Sequence, residues 1–275
     1  TNSPFLKTDV SGGGFIQNVI MILNRLGNKK RLAVDLIPYF PKHNTFIEPF
    51  FGAGGMFFYK PKAKYNFVND LDSDVFNLFQ VVKNNKENLK SEFYKMPIHS
   101  DLLNYWKENK ETDETQKAIR FLFLSNLTYM GTGSQLKMCT SDAKQNVLDL
   151  IDKTNEKIFD VFFDNDDFEK FISKISFRGR ENDKQNSFIY CDPPYLGTTD
   201  NYSNSFTEND SLRLFDCLEN AGCKFAISEF DNDFVLNQAK LRGLNIVYIG
   251  ERKNIGNRRT EILITNYEKQ KSLFD

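Results

Sequence analysis

A rigid corner of one acid, two prolines and one aromatic ring, Asp192-Pro193-Pro194-Tyr195, directly follows the apolar run 187–191. The prolines fix φ and remove two backbone donors, so the carbonyls around them point in set directions. The Asp192 carboxylate and the Pro193 carbonyl can then accept both hydrogens of an exocyclic amine, while Tyr195 stacks on the attached ring. This diproline corner (residues 192–195) predicts a binding plate for a flat amino heterocycle, and a Pro-Pro turn without a ligand is the alternative.

A glycine-containing turn, Glu48-Pro49-Phe50-Phe51-Gly52-Ala53-Gly54, follows another short β run. Glycines after a strand let the backbone turn sharply and let a ligand approach the main chain. In open α/β sheets, nucleotides bind at such turns. Asp70 comes 70 − 54 = 16 residues after Gly54, at the end of the next predicted strand, where an acid can hold ribose hydroxyls. The turn and Asp70 suit a dinucleotide or S-adenosylmethionine, and a purely structural turn remains open.

A mostly parallel sheet is needed to bring these two motifs together, and the hydrophobic periodicity predicts one. Strands are expected at 45–50, 65–69, 160–163, 187–191, 224–228, 245–249 and 261–267, and helices at 16–26, 32–40, 56–59, 72–83, 168–175 and 211–218. Such alternation is typical of an α/β fold with helices on both faces of the sheet.

The middle of the chain, residues 81–157, lacks this β signal. It reads as helices from 84 to 128, a Gly-punctuated loop at 128–140 and a helix at 143–158. We predict a helical insertion at 81–157, large enough for its own small core, within a domain formed by 1–80 and 158–275.

Composition excludes several classes of protein. The 275 residues carry 36 Lys plus Arg and 37 Asp plus Glu, a net charge of −1, so any nucleic acid must be held by local basic patches. There is no apolar run of about 18 residues and no basic-then-apolar opening segment, so neither a membrane span nor a signal peptide is expected. The cysteines form no C-x-x-C pair and only two histidines occur, so we expect no metal, reduced thiols and a cytosolic protein.

The two motifs, in this order and with a helical segment between them, resemble the amino-group DNA methyltransferases. The arrangement is similar to the alpha-group, D12-class adenine-N6 enzymes, the Dam methylase family, over nearly the whole chain. The likeness includes Gly27-Asn28-Lys29 before the glycine turn and the closing strand 262–267. It implies a Rossmann-like seven-stranded S-adenosylmethionine-dependent methyltransferase sheet with an inserted helical target-recognition domain.

The resemblance also implies a reaction and its site residues. A methyl group passes from S-adenosylmethionine, leaving S-adenosylhomocysteine, to a flipped adenine in duplex DNA, and no metal takes part. The diproline corner is catalytic, Asp70 holds the ribose, Lys29 lies near the methionine part, and Asp167 with Phe168 lies near the cofactor's adenine. The expected catalytic residues are Asp192, Pro193, Pro194 and Tyr195, and the expected cofactor-binding residues are Arg25, Lys29, Glu48, Phe50, Gly52, Gly54, Asp70, Asp167, Phe168 and Asp192.

Two regions are candidates for binding DNA. One is a basic cluster expected in a Gly/Asn loop between two strands, for which a solvated charged face is an equal alternative: Arg252, Lys253, Arg258 and Arg259. The other is the loop of the insertion, where Gln135 can pair with an adenine edge and Lys137 with a guanine edge. Tyr129 and Met130 of that loop can wedge into the space left by a flipped base, although an aromatic residue after an apolar helix is more often part of a core.

Other functions remain open at the level of sequence. RNA and protein amino-nitrogen methyltransferases carry variants of the same corner, and a non-catalytic DNA-binding relative would keep the fold alone. No Pro-Cys dipeptide occurs, so the nucleophile of a cytosine-C5 enzyme is missing. We expect a monomer acting on duplex DNA in the cytoplasm of a bacterium or with a phage origin, and the sequence leaves open a companion restriction endonuclease.

Overall fold

A single mixed sheet of seven strands organises the computed structural model, which describes residues 21–24, 30–138, 142–175, 181–197, 206–254 and 257–268. The strands are β1 Thr45–Glu48, β2 Tyr65–Asn69, β3 Phe162–Asp164, β4 Ser187–Cys191, β5 Lys224–Phe230, β6 Asn245–Asn254 and β7 Asn257–Thr265. Their order is β3-β2-β1-β4-β5-β7-β6, and only β7 runs antiparallel to its neighbours. The predicted Rossmann-like seven-stranded α/β sheet is confirmed.

The strand order reverses between β1 and β4, which pair in parallel. In an open α/β sheet such a reversal leaves a crevice at the carboxyl ends of the strands. The glycine turn follows β1 and the diproline corner follows β4. The topology therefore places the two predicted motifs side by side at one edge of the sheet.

Helices cover both faces of this sheet. They are α1 Lys30–Leu36, α2 Gly55–Tyr59, α3 Ser73–Asn84, α4 Lys86–Lys95, α5 Ser100–Glu108, α6 Glu114–Leu127, α7 Ala143–Ile158, α8 Phe168–Lys174, α9 Glu181–Gln185, α10 Glu208–Ala221 and α11 Asp233–Leu241. None of the described helices is long and apolar enough to cross a lipid bilayer.

Successive side chains of the central strand β4 enter two different cores, because side chains alternate between the faces of a sheet. Phe188 and Tyr190 pack on one face and Ile189 and Cys191 on the other, and all four are fully buried. Burial on both sides explains why β4 reads as an uninterrupted apolar run. The Cys191 thiol is thus part of the core.

Helices α4 to α7 come between β2 and β3 in the chain but do not pack as a separate body. Their buried residues Phe93, Trp106 and Phe123 belong to the same hydrophobic cluster as Phe46 of β1 and Val68 of β2. Helix α3 links the two groups, since it contacts α4, α6 and α7 as well as β3. The helical segment thus shares its core with the sheet instead of having its own, and the domain bounds 81–157 stay a prediction.

The largest departure from the predicted elements is the β6–β7 hairpin. Its strands continue to Asn254 and Asn257, so the basic cluster lies on paired strands and the predicted loop position is wrong. Arg252 pairs with Arg259 and Lys253 with Arg258 in the backbone register. The polar ends of the two strands lack the alternation of apolar and polar residues that predicts a strand, so their pairing was not predicted.

Two helical predictions also need correction. Residues 21–24, inside the helix predicted at 16–26, are not helical, and the remainder of that range lies outside the described residues. Helix α11 was not predicted, although Asn232 caps it by accepting hydrogen bonds from the backbone N–H groups of Phe234 and Val235. An Asn before a short apolar segment is a start signal that sequence reasoning could have used.

Candidate active site

Asp192 is half-buried directly after β4, and a buried network from β5 orients its carboxylate. The Ser228 hydroxyl donates to Asp192 Oδ1 over 3.1 Å and lies 2.9 Å from the Tyr190 hydroxyl. Because Ser228 directs its hydrogen to Asp192, Tyr190 is the donor to Ser228. Burial, reinforced by the Asp192 charge, raises the pKa of Tyr190 well above its ordinary value, so its hydroxyl keeps the proton it donates. The carboxylate of the corner is therefore held by two hydroxyl groups in series.

Tyr195 is fixed at two points. Its ring packs edge-on against Phe230, with centroids 4.5 Å apart and an interplanar angle of 81°. Its hydroxyl donates to Oε1 of Glu261, a fully buried residue of β7. Pro193 is buried, whereas Pro194 and Tyr195 are half-buried at the edge of the sheet.

The glycine turn and Asp70 are joined directly. Gly52 N donates to Asp70 Oδ2 over 2.5 Å, and Asp72 N donates to Asp70 Oδ1 over 2.9 Å. Gly52 and Gly54 have φ of 53° and 72°, a region that favours glycine. A Cβ on Gly52 would meet no atom within 4 Å, so the backbone of the turn borders open space. Carboxylate oxygens have further acceptor capacity, which leaves Asp70 able to bind ribose hydroxyls as well.

Glu48 ends β1 and is 2% exposed. Burial raises its pKa well above the ordinary value; Lys60 opposes this shift, and Asp192 and Asp70 add to it. Its Oε2 has no hydrogen-bond partner among the described residues. Three acids thus stand at the ends of β1, β2 and β4, around a site whose natural complement is a cation.

Three phenylalanine rings cluster beside this acidic group. Phe50 lies 5.5 Å from Phe168 and 6.0 Å from Phe206, and Phe168 lies 6.3 Å from Phe206, measured between ring centroids. Asp167 caps α8 by accepting from Glu169 N, and it also pairs with Arg213 at 2.9 Å. Flat apolar surfaces of this kind suit a purine ring.

Sequence reasoning missed several residues of this site, all contributed by strands or segments distant in the chain: Phe206, Ser228, Glu229 and Glu261. Ser228 and Glu229 interrupt the apolar strand β5, and Glu261 precedes the apolar run of β7. A buried polar residue inside a central strand is a signal that was available.

The loop after α6 exposes three of its four predicted contact residues. Tyr129 is 56% exposed and Met130 is 50% exposed, and Met130 has a φ of 52°. Gln135 is exposed, and its carbonyl accepts from Tyr129 N over 2.8 Å. Lys137 instead folds back, since its Nζ donates to the Asn126 carbonyl over 2.9 Å. Tyr129, Met130 and Gln135 are therefore available to a partner, and Lys137 is engaged within the loop.

Of the basic cluster, only the Arg259 side chain is described. Its guanidinium donates to the Gly197 carbonyl over 3.3 Å and lies 5.4 Å from the Phe230 ring centroid. It therefore sits beside the diproline corner. The side chains of Arg252, Lys253 and Arg258 lie outside the described part of the structure, as do Arg25 and Lys29.

Comparison with known proteins gives one family. The profile of the D12 class N6 adenine-specific DNA methyltransferases matches residues 26–255. The type II methyltransferase M1.LlaDCHI of Lactococcus lactis subsp. cremoris is 23% identical over 278 residues, which cover 88% of this chain and 93% of that protein.

Two further relatives carry related names. The modification methylase StsI of Streptococcus sanguinis is 26% identical over 291 residues, covering 90% of this chain but 42% of that longer protein. The DNA adenine methylase of Escherichia coli (strain K12) is 26% identical over 218 residues, covering 70% of this chain and 73% of that protein.

Proposed function

The chain belongs to the D12 class of N6 adenine-specific DNA methyltransferases, and from this we propose that it transfers a methyl group from S-adenosylmethionine to the N6 amine of a flipped adenine at a specific site in duplex DNA. The observation that carries the proposal is the position of the diproline corner beside the acidic glycine turn, after the paired strands β4 and β1. The catalytic and cofactor-binding roles below are parts of this proposal.

S-adenosylmethionine fits the residues that surround the glycine turn. Asp70 would hold the ribose, and the rings of Phe50, Phe168 and Phe206 would border the adenine. The buried Glu48 Oε2, which has no hydrogen-bond partner among the described residues, suits the α-amino group. When bound, the cofactor supplies an electrophilic methyl group on a positively charged sulfur. The negative charges of Asp70 and Asp192 favour such a cation in this place.

The diproline corner addresses the poor nucleophilicity of the adenine amine, whose lone pair is delocalised into the ring. Asp192 and the Pro193 carbonyl accept its two hydrogens, which favours a pyramidal nitrogen with a localised lone pair. Ser228 holds the Asp192 carboxylate in one orientation for this task. Asp192 also accepts the proton that the nitrogen loses when it gains the methyl group. Positioning of this kind supplies a large part of a rate enhancement.

The target base must leave the duplex to reach this corner, because its amine is out of reach inside the stack. Tyr195 would stack on the extruded adenine and offset part of an unpairing cost on the order of a few kcal/mol. We assign Tyr129, Met130 and Gln135 to DNA contact because the loop exposes them. Lys137 would have to leave Asn126 to join them.

The β6–β7 hairpin would bind phosphates. Its backbone register pairs Arg252 with Arg259 and Lys253 with Arg258, so the hairpin concentrates basic residues on two adjacent strands. Contact between basic residues and phosphates makes affinity for DNA fall with salt. Arg25 and Lys29 complete the proposed cofactor contacts, and residues 81–157 are the proposed target-recognition unit.

The proposal extends to the cellular setting. We place the protein in the bacterial cytoplasm, encoded by the bacterium or by a phage, acting on DNA as a monomer and without a metal. One relative is named a modification methylase and another a type II methyltransferase, which makes a restriction endonuclease of the same specificity the first partner to seek.

The test is methyl transfer from labelled S-adenosylmethionine to unmethylated plasmid DNA, followed by single-molecule sequencing of the product. We expect N6-methyladenine at one short sequence. Asp192→Ala should abolish transfer and keep cofactor binding measurable by calorimetry, while Asp216→Ala, which replaces an exposed acid of α10, should match the wild type.

Three results would contradict the proposal. Full activity of Asp192→Ala would show that the diproline corner does not take part in the reaction. Methyl transfer to RNA or to a protein glutamine, with none to duplex DNA, would show that the substrate is different. Binding of DNA without any methyl transfer would show that the protein is a non-catalytic relative.

A further inference from the structure

The three residues that follow the prolines are each held by a side chain of β5 or β7. The Tyr195 hydroxyl donates to Glu261, Leu196 N donates to Glu229 Oε2 over 3.3 Å, and the Gly197 carbonyl accepts from Arg259 over 3.3 Å. We propose that Glu261 is a positioning residue, which fixes the Tyr195 ring in the orientation that stacks on the target base. This inference rests on the proposed function of the diproline corner.

The burial of Glu261 is the first argument. The residue is 0% exposed, and the residues that follow it in β7, Ile262, Leu263 and Ile264, are equally buried and all apolar. A carboxylate is costly to place in such a strand unless hydrogen bonds compensate for its lost hydration. Departures from an otherwise consistent local pattern concentrate at functional sites. Here the departure occurs at the residue that bonds the corner.

The geometry around Tyr195 is the second argument. Glu261 pairs with Phe230 across β7 and β5, and Phe230 is also the residue on which the Tyr195 ring packs edge-on. Two facing residues of adjacent strands therefore hold the ring and its hydroxyl. With both ends fixed, the side-chain torsions of Tyr195 are set before a base arrives, so less entropy is lost on stacking.

The other neighbour of Glu261 is unusual as well. Across β6 it faces Gly250, and the register between β6 and β7 shifts at this point, between Tyr248 and Gly250. A β-bulge of this kind re-aims side chains and is common beside active sites. The bulge thus adjoins the pair that Glu261 forms with Gly250 of β6.

The chemistry of the contact explains why a carboxylate is present. A phenol hydrogen bond to a carboxylate is charge-assisted and about twice as strong as one between neutral groups. An amide oxygen at the same position would still accept the hydrogen, more weakly. An apolar side chain would not accept it, and this hydrogen bond would be lost. The carboxylate acts through Tyr195 and itself touches neither cofactor nor base.

The test is a double-mutant cycle with Tyr195→Phe, Glu261→Leu and the combined variant. The substrate is a duplex with the sequence mapped by single-molecule sequencing of plasmid DNA methylated by the wild type. We expect each single variant to lower kcat/KM for this duplex roughly tenfold, mainly through KM, and the combined variant to lose no more. Glu261→Gln should stay within about threefold of wild type, since its amide still accepts the hydrogen.

Fluorescence of 2-aminopurine, placed at the target base of the same duplex, gives a second readout. Wild type and Glu261→Gln should quench the extruded base by stacking, and Tyr195→Phe and Glu261→Leu should quench it less. The control is Tyr267→Phe, which removes a hydroxyl bonded to the Tyr39 carbonyl, outside the corner, and should match wild type in both assays.

Several outcomes would overturn the inference. Wild-type kcat/KM in Tyr195→Phe would remove any role for the hydroxyl, and multiplicative losses in the combined variant would show that Glu261 acts elsewhere. If Glu261→Leu does not fold, the test uses Tyr195→Phe and Glu261→Gln. Adding Glu261→Gln to Tyr195→Phe should then cause no further loss of kcat/KM, and a further loss would overturn the inference. A wild-type protein that methylates no DNA would refute the proposed function itself, a result seen before any variant is made.

Discussion

At the scale of single residues, the site brings three acids together. Glu48 ends β1, Asp70 and Asp192 follow the neighbouring strands β2 and β4, and the charges of Asp70 and Asp192 add to burial in raising the pKa of Glu48. Such a cluster is stabilised when a cation enters it. The proposed cofactor carries positive charge on its sulfonium and its amino group, so its binding would relieve the repulsion that the free protein contains.

Asp70 gives the prediction that belongs to this scale. Asp70→Ala removes a proposed ribose acceptor together with the bonds from Gly52 N and Asp72 N, so S-adenosylmethionine should bind at least tenfold more weakly, a loss of about 1.5–3 kcal/mol. Isothermal calorimetry measures this directly. The control is Asp72→Ala, which removes the cap of α3 and should cost about 1 kcal/mol of stability with the cofactor affinity nearly kept. Equal affinity in Asp70→Ala and wild type would refute the cofactor assignment.

A site residue could be predicted from the sequence when it belongs to a contiguous motif, and not when it comes from a distant element. The glycine turn and the diproline corner are each contiguous, so their residue types and spacing are visible in one stretch of chain. Other elements contribute Ser228, Glu261 and Phe206 to the site. The residues next to them in the chain do not predict which partners they contact. Their contacts depend on sheet order and register, which single-sequence patterns specify weakly.

At the scale of elements, the same distinction separates strands that were predicted well from those that were not. Strands β2 and β4 have the predicted bounds, because β4 is buried along its whole length and Phe67 and Val68 give β2 an apolar centre. The ends of β6 and β7 near the turn are paired by backbone hydrogen bonds but consist of polar and charged residues, for which the sequence predicted a loop. Backbone pairing that is not accompanied by burial leaves little trace in a sequence.

The loop after α6 provides the prediction at this scale. Gly131 has a φ of 70°, and a Cβ there would lie 2.0 Å from the Asn24 carbonyl oxygen. Gly131→Ala should therefore push residues 21–24 away from the loop, lower stability by more than about 1 kcal/mol and weaken DNA binding through Tyr129 and Met130. Urea unfolding and a DNA titration measure the two effects.

The matched control for that variant is Gly133→Ala. Gly133 has a similar φ of 74°, but its Cβ would meet only the Leu124 side chain, at 3.6 Å. Gly133→Ala has the same unfavourable positive φ as Gly131→Ala but no steric clash, so it should lower stability less than Gly131→Ala does. Equal losses in the two variants would show that the contact with Asn24 does not support the loop.

At the scale of the whole molecule, one continuous core joins the helical segment to the sheet. Phe46 and Val68 of the sheet share a hydrophobic cluster with Phe93, Trp106 and Phe123 of the helices. A shared core makes cooperative unfolding of both parts the natural expectation. It also places the exposed loop after α6 on the same packed body as the diproline corner.

A buried lysine at the carboxyl end of α2 makes the stability of the protein depend on pH. Lys60 is 5% exposed, its Nζ donates to the Pro61 carbonyl over 2.9 Å and it lies 4.0 Å from the Phe46 ring centroid. Burial lowers its pKa from 10.5 to about 8, against an opposing effect of Glu48. Between about pH 8 and 10.5 the unfolded chain therefore binds more protons at this position than the folded chain does, and the free energy of unfolding should rise with pH across that window.

Removing the lysine should remove this dependence. A shift of that size corresponds to about 3 kcal/mol, so Lys60→Met should be more stable than wild type near pH 7 and should lose that advantage by about pH 10.5. Urea unfolding at several pH values gives the two curves. The control Lys62→Met replaces a lysine that pairs with Asp160 near the surface, and its curve should run parallel to wild type. A curve of Lys60→Met that also runs parallel to wild type from pH 8 to 10.5 would contradict this prediction. It would mean that Lys60 has the same pKa in the folded and the unfolded chain, and that its burial has no electrostatic cost.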